Sequence, residues 1–157
     1  MKTEKELTAA VNKYGDLVLR LCLIHLKNKS DSDDIFQEVF LRYYRHNGSF
    51  ESDEHEKAWI IRVTNNACKD LLRNFFHSRT VSIDEIGELQ GRDETEYREV
   101  FEAVLSLPEK NREVVYLHYY EGYKAKEIAS ILKMNVNTVY TLLTRSKEML
   151  KGILINE

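Results

Sequence analysis

Side chains that can recognise nucleic-acid bases and phosphates recur at helical spacing near the end of the sequence, from residue 137 to residue 147. Amide and hydroxyl groups at the start of a helix can hydrogen-bond to base edges in a DNA groove. Basic groups further along such a helix suit phosphate oxygens, which set the position of a protein on the duplex. We therefore predict a DNA-recognition surface formed by Asn137, Thr138, Tyr140, Thr141, Thr144, Arg145 and Lys147.

The sequence from Glu113 to Lys151 predicts the elements that would hold this surface. Its pattern indicates a helix, a break at Gly122, a short helix, a three-residue turn and a longer helix. Two such helices cross at a steep angle over a small core, so that the second is free to enter a major groove. An ordinary helical hairpin with a solvated polar face has the same periodicity, and that alternative stays open. The predicted core of the pair consists of Ile128, Ala129, Leu132, Met134, Val139 and Leu142.

A second polar stripe lies on a helix predicted from about Lys57 to Phe76. Trp59, at the start of this helix, is expected to be a buried aromatic residue rather than one that stacks on a base. Four basic or amide residues follow at intervals of four, three and four, which places them on one exposed face. That face could bind a nucleic-acid backbone and unstacked bases, although a merely solvated face is also compatible with the pattern. The four residues are Arg62, Asn66, Lys69 and Arg73.

Another amphipathic helix is predicted between Asp31 and Arg45. Its apolar residues form pairs that recur every four positions and provide a broad stripe for packing. Asp31 or Ser32 is expected to cap the helix, and acidic residues in the first turn suit the helix dipole. Capping explains these aspartates better than metal binding does, because no suitably spaced ligands accompany them. The polar side of the helix carries Asp34, Gln37, Glu38, Arg42 and Arg45.

Composition predicts an all-α protein, whose length fits one large or two small helical domains. The 157 residues include one proline and six glycines, and the apolar residues repeat at helical spacing. The net charge is −3, but the acidity is concentrated in residues 80–110, which hold nine acidic and three basic residues. The flanking parts are close to neutral, so the net charge does not argue against nucleic-acid binding. We predict domains at residues 1–79 and 95–157, joined by an acidic flexible linker at residues 80–94.

We find no sequence motif for catalysis, metal binding or membrane insertion. The segment from His55 to Trp59 begins like a zinc-protease helix but has tryptophan at the position of the second histidine. Cys22 and Cys68 are isolated and are expected to be reduced core residues. Neither a signal peptide nor a run of about 18 apolar residues is visible. We expect a cytoplasmic protein that is not an enzyme, needs no cofactor and does not insert into a membrane.

Three blocks of the sequence, in order, resemble bacterial sigma factors of the extracytoplasmic-function type. Residues 31–45, DSDDIFQEVFLRYYR, are similar to the family's helix that docks on core RNA polymerase. Residues 58–73, AWIIRVTNNACKDLLR, look like its promoter-melting helix. Residues 107–115, LPEKNREVV, and the helix pair that follows look like domain four of the family. The resemblance extends over residues 14–79 and 95–151, and three blocks in the family's order are more specific than any one.

The resemblance implies a role for each group of polar residues. Asp34, Gln37 and Glu38 would bind the clamp coiled coil of the polymerase. The stripe that begins at Arg62 would face the minus-10 promoter element, where the loop at residues 50–56 would help to hold a flipped base. The recognition residues near the end of the chain would contact the minus-35 element. The implied partners are core RNA polymerase, promoter DNA and, in addition, an anti-sigma factor.

Two features depart from the family pattern. Lys133 replaces the glycine that is usual in the turn, so the turn must tolerate a side chain there or shift its positive φ to Asn135. Tyr140 and Leu142 stand where the family often has basic residues, which predicts weak binding to the minus-35 element or an unusual sequence preference. The alternative function is a stand-alone helix-turn-helix regulator whose N-terminal helices dimerise or sense a signal. A helical interaction protein without DNA contact is a third hypothesis.

Overall fold

The computed structural model describes residues 1–74 and 95–155 of the chain. All regular elements in these ranges are helices, which confirms the predicted all-α class. Contacts between residues divide the chain into two compact units, Met1–Val81 and Ser82–Glu157. The predicted acidic linker lies outside the described residues.

The N-terminal unit is a bundle of three helices, each of which packs on the other two. Cys22 and Cys68 lie in its interior as reduced thiols, in agreement with the sequence prediction. The helices are α1 (Glu4–Leu26), α2 (Lys29–Arg45) and α3 (Asp53–Asn74). Their apolar stripes meet in a core that includes Val18, Leu21, Ile24, Val39, Ile60 and Ile61.

Asn28 caps α2, so the prediction that Asp31 or Ser32 caps this helix is wrong. The side-chain oxygen of Asn28 accepts a hydrogen bond from the backbone N–H of Asp31 at 2.9 Å, which satisfies a donor of the first helical turn. Lys27 adopts φ 50° directly before it and ends α1, so the chain turns into α2 within two residues. Asp34, Gln37 and Glu38 therefore lie inside the helix and not in its first turn.

α3 begins at Asp53, earlier than predicted, so the end of the expected polar loop is helical. Ser52 starts the helix: its hydroxyl accepts a hydrogen bond from the N–H of His55 and its carbonyl accepts one from Glu56, each at 3.1 Å. The acidic residues that suggested a loop instead occupy the first turn, where the helix dipole favours negative charge. The connection between α2 and α3 is thereby confined to residues 46–52.

One carboxylate joins the three helices near the start of α3. Glu56 accepts a hydrogen bond from the hydroxyl of Tyr14 in α1 and another from the hydroxyl of Tyr43 in α2, each at 2.9 Å. Both tyrosines are buried. Burial raises the pKa of both phenols well above the ordinary value, and the hydrogen bonds to Glu56 raise it further. This contact holds the N-terminal end of α3 against the other two helices.

We expect this contact to make the N-terminal unit lose stability in alkali. Unfolded tyrosines ionise at about pH 10, whereas Tyr14 and Tyr43 keep their protons to higher pH in the folded chain. Above that pH the folded state binds more protons than the unfolded state. The free energy of unfolding should therefore fall by up to about 1.4 kcal/mol per pH unit for each tyrosine.

Urea unfolding of the N-terminal unit in the intact protein, at about pH 8 and about pH 11, measures this loss. The control is the double variant Tyr14→Phe/Tyr43→Phe, which lacks both phenols and should show a smaller decline. An equal decline in the two proteins would mean that other groups cause the alkaline loss.

The C-terminal unit places a pair of helices in front of two supporting helices. Pro108 precedes the second of these, as its fixed φ predicts. That helix continues into a π-helical turn at Tyr116–Tyr120, and Gly122 with φ 77° then redirects the chain. The buried amide of Asn111 donates to the hydroxyl of Ser146 at 2.9 Å and ties the supporting helix to the last one. The helices are α4 (Thr95–Leu105), α5 (Glu109–Val115), α6 (Ala125–Leu132) and α7 (Val136–Ile155).

Candidate nucleic-acid interface

α6 and α7 form the helix-turn-helix that the sequence predicts, and Ile128 of α6 is completely buried in its core. The turn is formed by Lys133, which adopts φ 55° and ψ 50°. Of the two positions left open for positive φ, the structure therefore uses Lys133 and not Asn135. The N–H of Met134 donates to the carbonyl of Ala129 at 2.9 Å, a bond that this left-handed residue makes possible. The turn keeps its usual geometry without its usual glycine.

Replacing Lys133 with glycine should stabilise the C-terminal unit. A side chain at positive φ is strained by roughly 1 kcal/mol, and glycine relieves that strain at some cost in chain entropy. We expect the free energy of unfolding to rise by about 0.5–1 kcal/mol, measured by urea unfolding. Lys126→Gly is the matched control, because it removes the same side chain from the exposed face of α6 and should lower stability by about 1 kcal/mol. Destabilisation by both changes would contradict the argument.

Residues of α7 predicted to recognise DNA lie on its accessible sides, whereas Val139 and Ser146 face the interior. Asn135 starts the helix, since its side-chain oxygen accepts from the N–H of Asn137 at 2.8 Å. The hydroxyl of Thr141 donates to the carbonyl of Asn137 at 3.0 Å, which uses its only hydrogen. Their contact with DNA remains a prediction. The exposed residues are Asn137, Thr138, Tyr140, Thr141, Thr144, Arg145 and Lys147.

The polar stripe of α3 also reaches the surface. Asn66, Lys69 and Arg73 are exposed, and Arg62 is half-buried. Arg73 forms an ion pair with Asp70 at 2.6 Å, one turn away. An exposed pair of this kind contributes little to stability and is screened by salt, so a phosphate can compete with the carboxylate. The amide of Asn66 and the ammonium of Lys69 are therefore accessible to DNA. The guanidinium of Arg73 is available to a phosphate only when its ion pair with Asp70 breaks.

The end of α2, the connection after it and the start of α3 bring five rings together, which we call the aromatic cluster: Tyr43, His46, Phe50, His55 and Trp59. The ring of Phe50 lies at its centre, parallel to the ring of His46 with 5.1 Å between centroids. Trp59 is half-buried rather than buried, and His55 is exposed, so the cluster reaches the surface. Accessible aromatic faces can stack on unpaired bases.

Sequence reasoning missed the aromatic cluster because its members belong to different elements. The available signal was the concentration of aromatic and histidine residues between positions 43 and 59.

On α2 the predicted docking residues lie on one face. Asp34 and Gln37 are exposed, and the partly exposed Glu38 accepts a hydrogen bond from Arg42 at 2.9 Å. Leu41 lies on the same face, one turn after Gln37 and Glu38, and 46% of its surface is exposed. A single exposed leucine is ordinary on a protein surface, and here it adds an apolar group beside the predicted docking residues. The sequence prediction did not include Leu41, although its spacing places it on the same helix face as Gln37 and Glu38.

The described surfaces offer hydrogen bonding, charge and ring stacking. Within residues 1–74 and 95–155, no three His, Cys, Asp or Glu residues are placed so that they could hold a metal ion. In the same part of the chain, no helix combines the length and the apolar character needed to cross a bilayer.

Comparison with known families finds a match in each unit. Residues 10–75 match the family described as Sigma-70 region 2. Residues 97–150 match the family described as Sigma-70, region 4. The two matches together extend over most of the chain.

Two curated relatives match along most of their length. The chain is 30% identical to the ECF RNA polymerase sigma factor SigM of Bacillus subtilis over 147 residues, which cover 89% of this chain and 90% of SigM. It is 27% identical to the ECF RNA polymerase sigma factor SigW of the same bacterium, with 90% of this chain and 84% of SigW covered.

Two solved structures share the fold. The sigma factor RpoE from Bartonella quintana, in complex with the anti-sigma factor NepR, matches with a TM-score of 0.75 at 16% identity, over 96% of this chain and 97% of RpoE. CnrH, in complex with the cytosolic domain of CnrY, matches with a TM-score of 0.70 at 21% identity, over 99% of this chain and 91% of CnrH. At these identities the likeness concerns the fold alone.

Proposed function

Because the chain belongs to the extracytoplasmic-function family of RNA polymerase sigma factors, we propose that each exposed polar face described above makes one of the family's contacts. The protein is a sigma factor that binds core RNA polymerase and directs transcription initiation at specific promoters. One observation carries the assignment of faces: both sigma regions occur in the family's order, and each presents an exposed polar helix face. A stand-alone helix-turn-helix regulator is disfavoured, because that function does not explain why residues 10–75 match Sigma-70 region 2.

The α2 face is the proposed docking surface for core polymerase, through the clamp coiled coil. Asp34, Gln37 and Glu38 offer carboxylate and amide groups, and Leu41 adds an apolar group beside them. Protein interfaces commonly combine a desolvated apolar centre with polar groups that fix orientation. The carboxylates suit basic groups on a partner surface, and such charge complementarity suppresses wrong partners.

The α3 stripe and the aromatic cluster are the proposed minus-10 site. Asn66, Lys69 and the half-buried Arg62 would bind the backbone and base edges, and the rings would stack on an unpaired base. The loop expected to hold a flipped base divides into two parts. Phe50 belongs to the aromatic cluster, whereas Glu56 is turned inward to the hydroxyls of two tyrosines. We assign base capture to the Phe50 side of the loop and a supporting role to Glu56.

The exposed face of α7 is the proposed minus-35 site. Its amides and hydroxyls suit base edges, and Arg145 and Lys147 suit phosphates. Few basic groups mean few phosphate contacts, which supply most of the affinity of a DNA-binding protein. The exposed Tyr140 stands where a basic residue would add one. We infer that the C-terminal unit binds promoter DNA weakly by itself and depends on polymerase for the rest of its affinity.

Three further assignments accompany this function. We propose that the acidic segment at residues 80–94 joins the core-binding and minus-10 domain at 1–79 to the minus-35 domain at 95–157. RpoE was solved with an anti-sigma factor, and we propose that such a protein also regulates this chain. Binding to core polymerase places its action in the cytoplasm.

Purified protein added to core RNA polymerase tests the function. We expect the protein to co-purify with core and to stimulate transcription from a promoter fragment upstream of its own gene, which core alone should not transcribe. A regulator of the alternative kind would instead shift its DNA fragment without polymerase. If no fragment is stimulated and core does not co-purify, the proposed function is wrong.

A further inference from the structure

Lys2 contacts the connection between α2 and α3, far from its own position in the sequence. The backbone N–H of Lys2 donates to the carbonyl of Tyr44 at 2.8 Å, and its ammonium donates to the carbonyl of Gly48 at 2.7 Å. Tyr44 lies in the last turn of α2, where carbonyls have no partner within the helix. One residue therefore satisfies an end group of α2 and holds the chain where it leaves that helix.

The ammonium of Lys2 also lies over two rings of the aromatic cluster. It is 5.0 Å from the ring centre of Phe50 and 5.7 Å from that of Tyr43. A cation at these distances is attracted to the face of the ring. The end of α2 adds to this attraction, because the helix dipole favours positive charge there. The same side chain thus holds both a carbonyl of the connection and the ring at the centre of the cluster.

We propose that Lys2 is a positioning residue for base capture, which holds residues 48–50 where the aromatic cluster can receive an unpaired promoter base. This inference rests on the proposed function of that cluster. Phe50 is held by the rings around it. After it in the sequence, the N–H of Glu51 donates to the Nδ1 atom of His55 at 3.1 Å. Lys2 fixes the preceding side, at Gly48. Without that contact, the residues just before Phe50 would no longer be held in place.

The place of Lys2 separates this role from docking on polymerase. The docking residues Asp34, Gln37 and Glu38 lie in earlier turns of α2 than Tyr44, the residue that Lys2 contacts. Removal of the Lys2 side chain should therefore change how the holoenzyme binds an unpaired base and leave its assembly from core unchanged.

The test compares Lys2→Ala with Lys5→Ala in the intact protein, assembled with core polymerase and carrying any tag at its C-terminus. Lys5 is an exposed lysine in the first turn of α1, so the control removes the same charge from a nearby site. The probes are single-stranded minus-10 oligonucleotides from a promoter found in the transcription assay, each with one base replaced. Fluorescence anisotropy gives the affinity of each holoenzyme for each probe.

We expect Lys2→Ala to reduce discrimination at the captured base about fivefold, whereas Lys5→Ala keeps it. A general loss of stability would weaken all probes equally and leave the ratio between them unchanged. Lys2→Arg should restore the ratio, because a guanidinium keeps the charge and the donor. Equal discrimination by Lys2→Ala and Lys5→Ala would overturn the inference alone. If the wild-type holoenzyme does not bind the minus-10 strand, the minus-10 assignment fails as well.

Discussion

A protein with Glu38 replaced by lysine should bind core RNA polymerase roughly thirtyfold more weakly than the wild type, or worse. The change removes a carboxylate from the α2 face and places a second positive charge one turn from Arg42, which donates to Glu38 at 2.9 Å. Loss of one partner of a charge pair that an interface buries typically costs on the order of 2–5 kcal/mol of binding free energy. A titration of labelled protein with core polymerase, followed by fluorescence anisotropy, measures the loss.

Glu102→Lys is the matched control for this charge reversal. Glu102 is an exposed glutamate of α4, in the other unit of the chain, and the variant should keep the wild-type affinity for core. The thermal unfolding of Glu38→Lys should stay close to that of the wild type, because an exposed ion pair within one helix contributes only about 0.5 kcal/mol. Normal core binding by a folded Glu38→Lys protein would show that α2 is not the docking helix.

Periodicity in the sequence predicted the helices that carry the candidate site, but not where α2 and α3 begin. α2 begins at Lys29 and α3 at Asp53, whereas the sequence predicted starts near Asp31 and at about Lys57. A cap is a single hydrogen bond between a side chain and a nearby backbone N–H, and several polar residues compete for it. Which residue succeeds depends on the path by which the chain enters the helix. The left-handed Lys27 sets that path for α2.

The candidate site was predictable within each helix and not between helices. Spacing alone placed Asn66 and Lys69 on one exposed face of α3, because the helical period determines which residues share a face. The aromatic cluster and the contact of Lys2 with Gly48 join residues of separate elements, and no spacing in the sequence specifies those meetings. The turn before α7 was predicted in part. The sequence limited positive φ to Lys133 or Asn135, and the hydrogen bond from Met134 to Ala129 at the end of α6 requires it at Lys133.

Lys69→Glu should give a protein that binds core polymerase normally but opens promoters poorly. Lys69 is exposed in the middle of the α3 stripe, so the change turns attraction for phosphate into repulsion. It also places a second carboxylate near Arg73, which already pairs with Asp70 at 2.6 Å and would be less available to DNA. Permanganate reactivity of melted thymines should fall at least about tenfold at moderate salt, and the dependence of binding on salt should be shallower by about one phosphate contact.

Lys5→Glu is the control for charge, since it reverses an exposed lysine on another helix of the same unit, and it should keep promoter opening. A promoter fragment that is already unpaired at the minus-10 element separates two roles of Lys69. If Lys69 acted only in separating the strands, this template would restore transcription by Lys69→Glu. A residue that binds phosphate acts before and after strand separation, so we expect the defect to persist on the unpaired template and to become smaller as salt is raised. If Lys69→Glu opens promoters as the wild type does, this face of α3 does not contact the promoter. An added negative charge beside DNA would lower the affinity for it.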